Sequence, residues 1–93
     1  MIGCYWVFYC INSNGRAPSE VFSKDYRTGG TVRADTLTEA ERRWRTEFSI
    51  KPSAGGRRDL LVGDVLRDLT DRYWIRTPTR WAEVVFRISG GGE

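Results

Sequence analysis

Ninety-three residues, 40% of them hydrophobic and 13% aromatic, are enough for one packed core and too few for two, so a second domain and a disordered chain are both excluded. A net charge of +3 permits nucleic acid or an acidic protein surface as partner and selects neither. With no histidine and only Cys4 and Cys10 as thiols, the chain lacks the ligand set of a zinc or iron–sulfur site and the usual general base of an enzyme.

Residues 3–11 are apolar or aromatic at every position, which predicts a central strand covered on both faces. Alternation places Cys4, Trp6, Phe8 and Cys10 on one face and Tyr5, Val7, Tyr9 and Ile11 on the other. On such a strand the two cysteines stand roughly 20 Å apart, too far to bridge, and read as small core side chains in a reducing cytosol. The segment has no basic leader and is too short to span a bilayer, so a cytoplasmic protein is expected. Asn12-Ser13-Asn14-Gly15 then signals a turn, and residues 20–27 supply a second strand, paired with the first as a hairpin. Gly29-Gly30 reads as a break, followed by a short strand or edge segment at 31–34.

Thr36-Leu37-Thr38-Glu39 is a capping box, with Thr36 as N-cap and Glu39 reaching back to its amide. It predicts a helix over 37–48, whose apolar stripe is Leu37, Ala40, Trp44 and Phe48. Glu39–Arg43 and Glu41–Arg45 are favourable i,i+4 pairs that give the helix arginines a local structural role. A flexible connector follows at 52–56. Next, Asp59 is placed to cap a single turn over 60–63; a longer helix over 60–73 fits the apolar spacing too, but Gly63 in its middle would cost about 1 kcal/mol. The preferred reading is a turn, then strands at 65–69 and 72–77, then a last strand at 81–88 after Pro78. Residues 1–88 form the domain, and 89–93 are read as a flexible tail.

The residues Arg58, Leu60, Val62, Asp64, Val65, Tyr73 and Trp81 resemble the YodL-like module of small phage- and plasmid-borne proteins. There a Gly-Arg-Ser-Leu-Ser-Val-x-Asp-Val run precedes a Tyr-containing strand and then Gly-Phe or Gly-Trp. Asp59 and Leu61 stand here in place of the serines, and Arg80 in place of the glycine. The resemblance implies residence on a mobile element, and hence the cytoplasm of a bacterial host cell, and brings no defined biochemical activity with it.

Thirteen of the fifteen basic residues are arginines, whose planar fork suits bidentate recognition. If Ala82, Val84, Phe86 and Ile88 face the core with Tyr73 and Ile75, then the opposite face carries Arg72, Trp74 and Arg76 beside Trp81, Glu83, Val85 and Arg87, and its candidate partner-binding residues are Arg72, Trp74, Arg76, Trp81 and Arg87. One helix covers one face of a small sheet, so this second face is expected to be exposed as a partner-binding surface, or to be the edge of the core with arginine stems over it. Arg57 and Arg58, after a glycine pair, are a weaker anion contact.

The fold expected is α+β: an antiparallel sheet of four to five strands with one amphipathic helix on one face. Its core is expected to include Trp6, Phe8, Leu37, Trp44, Phe48, Val65, Ile75, Val84 and Phe86. The function expected is that of a non-enzymatic accessory protein of a phage or mobile element, without cofactor. Its partner would be a host protein or ribonucleoprotein complex, most concretely a bacterial defence complex that it inhibits in the manner of anti-CRISPR proteins. A nucleic-acid-binding module on the same Arg/Trp face and a virion component are the alternatives.

Overall fold

The computed structural model describes residues 3–11, 18, 20–50 and 59–88, without the side chains of 47–50. The elements are β1 (Cys4–Cys10), β2 (Glu20–Phe22), a 3-10 turn (Ser23–Asp25), β3 (Tyr26–Arg33), α1 (Leu37–Ile50), β4 (Val65–Arg67), β5 (Tyr73–Arg76) and β6 (Trp81–Arg87). The α+β class holds. The sheet has six strands rather than four or five, in the order β2-β6-β5-β4-β1-β3, and is mixed. All its pairings are antiparallel except β2 with β6.

The parallel pair follows from how the sheet closes. β2 and β3 lie at opposite edges of the strand order, yet only the Ser23–Asp25 turn separates them in the chain. Four antiparallel steps lead from β3 through β1, β4 and β5 to β6, so β3 runs in the same direction as β6, and so does β2. The two are therefore successive parts of one bent strand that joins both edges and curls the sheet into a barrel. Counted that way the ring has five members, since six strands less one make five. Directions cannot alternate all the way round an odd ring, so one pair must be parallel.

Closure makes two cores. Inside the barrel, Val21, Val65, Ile75 and Val84 are buried, with Phe8, Tyr26, Tyr73, Ala82 and Phe86 packed against them. Phe86 binds the sides together: its ring stacks on Tyr73 at 4.5 Å and lies 5.6 Å from that of Tyr26. Outside, α1 lays Ala40 and Trp44 on the Tyr5, Val7 and Tyr9 face of β1 together with Val32 and Leu66. The strand expected to be covered on both faces is thus covered by the helix on one and faces the barrel interior with Phe8 on the other.

Several expectations need correction. The helix packs against the Tyr5–Val7–Tyr9 side, the side of the sheet that also carries Trp74, Arg76 and Trp81, because closure already seals the Ile75–Val84 side. Trp6 belongs to neither core; it is half-buried beneath the Arg67 guanidinium, 5.0 Å from its ring centre. Ile88, expected to point inward, is 85% exposed. Residues 20–27 are not one strand paired with β1: β2 pairs with β6, and only Tyr26 and Arg27 pair with β1. Gly29-Gly30 does not break the chain but lies within β3, where the register with β1 shifts. A Cβ on Gly29 would sit 2.7 Å from the Tyr9 ring, so glycine lets the two strands approach at this bulge.

The helix start follows the capping box with one change. Thr36 Oγ1 accepts the Glu39 N–H at 3.1 Å, while Glu39 Oε1 takes the amide of Asp35 rather than that of Thr36, at 3.0 Å. The helix extends to Ile50. The turn-then-hairpin reading of 59–77 holds, with β4 and β5 antiparallel and Asp59 Oδ1 accepting the Leu60 N–H at 2.8 Å. Cys4 and Cys10 are half-buried and are not joined in a disulfide. The 12–15 turn, the side chain of Phe48, the 52–56 connector, Arg57, Arg58 and the 89–93 tail lie outside the described residues. No helix among the described residues is long and apolar enough to cross a membrane.

Candidate functional site

Pleating and register define the outer face of the β5–β6 wall. Trp74 pairs with Glu83 and Arg76 with Trp81, so these four share a face; Val85 and Arg87 follow on the same face, opposite Glu20 and Phe22 of β2. Arg72 lies just before β5 and is exposed. Four of the five residues singled out from the alternation, Trp74, Arg76, Trp81 and Arg87, are thus on one face. What the sequence did not disclose is that α1 crosses one end of it.

At that end Glu41 of α1 is the anchor. Its carboxylate accepts from Arg76 Nε at 3.0 Å and from Trp81 Nε1 at 3.1 Å, while Arg45 approaches at 3.7 Å. The Arg76 guanidinium lies 6.0 Å from the Trp81 ring centre and donates to the carbonyls of Thr77 and Arg80. Arg76 and Trp81 therefore fasten the helix to the barrel. Between Leu37, Thr38 and Glu41 on the helix and Thr79 and Arg80 on the β5–β6 turn they leave an open cleft of about 330 Å³.

The other end is uncovered by any described element. Phe22 is 39% exposed and Val85 52%. Trp74 is half-buried, and its Nε1 donates to Asp68 Oδ2 at 3.0 Å, which holds the indole in one orientation. The rim carries both signs, with Arg87 donating to Glu20 and Arg72 and Glu83 exposed.

Asp68 organises this end. Besides Trp74 it accepts the Thr70 N–H at 2.8 Å, the Thr70 hydroxyl at 2.6 Å and the Arg72 N–H at 3.1 Å. Partial burial alone would raise its pKa, but the hydrogen bonds from Thr70, Trp74 and the backbone win and hold it at about 2. A folded-state pKa below the usual 3.8 means that this carboxylate contributes stability above about pH 4 and loses it as pH falls towards 2. Urea midpoints compared at pH 5 and 2.5 are expected to fall less for Asp68→Asn than for the native chain; an identical fall would show that the turn does not depend on the ionised carboxylate.

The residues that carry the YodL-like resemblance are mostly interior. Leu60, Asp64 and Val65 are buried, and Val62, Tyr73 and Trp81 are half-buried. Asp64 is the buried charged residue of the described chain; its Oδ1 accepts the Cys10 N–H and its Oδ2 the Leu61 N–H, each at 2.8 Å. Beside it the Tyr26 hydroxyl donates to the Gly63 carbonyl at 2.5 Å, and burial, before the influence of Cys10 and Asp64, pushes that phenol's pKa up. This joint ties the end of β1, the start of β3 and the 60–64 loop. Sequence reasoning noted Asp64 only as part of a pattern; it placed Val85 on the outer face, where it is 52% exposed, and it missed Phe22 as a second exposed apolar member of that face.

Comparison with protein-family models, with curated proteins and with solved structures finds no match.

Proposed function

We propose that this chain is a non-enzymatic binding module that grips another protein through the open end of its outer sheet face. The observation that carries the reading is the strip of Phe22, Val85 and Trp74, uncovered by any described element and rimmed by Arg72, Arg87, Glu20 and Glu83. An apolar centre with an oriented tryptophan and a polar rim of both signs is the make-up of a protein–protein hot spot. The pairing of the arginines argues in the same direction. Arg87 is engaged by Glu20 and Arg76 by Glu41, so the face offers little uncompensated positive charge for phosphates. The resemblance to a mobile-element module extends this to an accessory protein that binds a host macromolecule, with inhibition of a bacterial defence complex as the concrete form.

The test is affinity capture from a bacterial lysate, followed by titration of the captured protein with variants. Trp74→Ala and Val85→Glu are each expected to weaken binding by about 2 kcal/mol or more, and Arg72→Ala by less, since rim charges act mainly on association rate. Labelled single- and double-stranded DNA and RNA serve as the counter-test. Micromolar binding to them at physiological salt, falling steeply as salt rises, would replace this reading with the nucleic-acid one.

A further inference from the structure

We infer that the free edge of β3 is a second docking site, which takes an extended acidic segment of another protein as an added strand. The inference is independent of the outer sheet face and rests on the direction of the β3 backbone groups. In an antiparallel pair, residues alternate between positions that bond the partner strand and positions whose N–H and C=O point away from it.

The phase of that alternation is fixed at both ends of β3. Ala34 donates to the Gly3 carbonyl at 3.1 Å, and Ile11 donates to the Asp25 carbonyl at 2.8 Å; both are bonding positions. Counting inward through the register, with its shift at Val7/Phe8, Val32, Gly30 and Arg27 also face β1, whereas Arg33, Thr31 and Thr28 turn their backbone groups outward. The Arg33 carbonyl bears this out: it accepts from Arg43 Nη1 at 3.3 Å, a donor outside the sheet. No backbone group of the described residues bonds the outward positions of Thr28 and Thr31, and both residues are exposed. Unpaired N–H and C=O groups along an eight-residue edge are a template for strand addition.

Charge selects the occupant. The stretch from Arg27 to Arg33 contains no acidic residue and ends in arginine at both ends. Arg43 adds a third guanidinium at the Arg33 end, with Glu39 as its carboxylate neighbour at 3.6 Å. Arg27 lies over the Tyr9 ring, 5.0 Å from its centre, held beside the edge. A second copy of this edge would bring like charges together, and nucleic acid would leave the main-chain donors and acceptors unmatched. An extended peptide with acidic side chains satisfies both the backbone and the arginines.

The probe is a capped octapeptide alternating glutamate and valine, titrated against the full chain by fluorescence anisotropy and by amide ¹⁵N shifts. Binding at about 1 mM or tighter is expected, with the Thr28, Thr31 and Arg33 amides gaining hydrogen-exchange protection. Thr31→Pro removes an outward N–H without touching the bonds to β1, and Arg33→Glu reverses a charge; each is expected to weaken binding about tenfold. Should Thr31→Pro fail to fold by thermal melt, Arg33→Glu decides. Absence of binding, equal binding of the lysine–valine peptide, or shifts confined to Trp74 and Val85 would overturn the inference. So would protection of the same amides in concentrated peptide-free protein that sediments as a dimer, since the edge would then belong to self-association.

Discussion

Replacing Trp44 with alanine is expected to lower stability by about 3 to 5 kcal/mol, as large-to-small changes at fully buried aromatics do. The side chain is completely buried and lies where α1 meets the barrel wall. Its ring meets Tyr9 edge-on at 6.2 Å, and its Nε1 donates to the Tyr9 hydroxyl at 3.2 Å. The substitution thus opens a cavity and removes one partner from a buried hydroxyl. For a domain of this size the melting temperature is expected to fall by more than about 10 °C. Trp44→Phe keeps most of the volume and loses the N–H, so its loss is expected to be much smaller, about 1 kcal/mol. A melt of Trp44→Ala that matches the native chain would show that the helix does not stand on β1 through this residue.

The helix was legible because its signals are local: Thr36 and Glu39 mark its start, and Leu37, Ala40 and Trp44 recur at helical spacing. The face of the sheet that it covers was not legible. β1 is apolar on both sides, so Tyr5, Val7 and Tyr9 compete with Trp6 and Phe8 on equal terms within the strand. The choice is made far away in sequence, by the closure that turns Phe8 inward with Val65, Ile75 and Val84. That closure depends on the bend at Ser23–Asp25, three polar residues with no distinctive turn chemistry. Gly29-Gly30 carried a real signal of irregularity, but a bulge inside a strand and a break between strands leave the same glycine trace.

The candidate site divides in the same way. Period-two alternation grouped Trp74, Arg76, Trp81 and Arg87 correctly, because faces are a property of the strand itself. It was silent on which end of the face would be covered, since the anchoring of Arg76 and Trp81 depends on Glu41, some 35 to 40 residues earlier in the chain. Phe22 escaped notice because β2 is only three residues long and its parallel partner is the last strand.

Asp64→Ala is expected to cost about 2 to 5 kcal/mol, since it leaves the partly buried Cys10 and Leu61 N–H groups without this acceptor at about 1 to 3 kcal/mol each. The position magnifies the loss because the main chain of the same residue is already committed. Asp64 accepts the Arg76 N–H and Gly63 donates to the Arg76 carbonyl, each at 2.9 Å, while the Asp64 N–H closes a turn on the Leu61 carbonyl at 3.0 Å. Gly63 itself has a φ of 98°, so this loop cannot slide without strain. Asp64→Asn is the sharper variant. It preserves shape and one acceptor oxygen but turns an amide donor towards one of the two N–H groups, so it is expected to recover less than half of the loss. Urea denaturation of the three proteins measures this, and a full recovery by asparagine would show that one of the two N–H bonds carries no weight. If Asp64→Ala unfolds cooperatively near the native midpoint, the joint between β1, the 60–64 loop and β5 is not what holds the barrel closed, and the interior packing of Phe86 with Tyr26 and Tyr73 must carry closure instead.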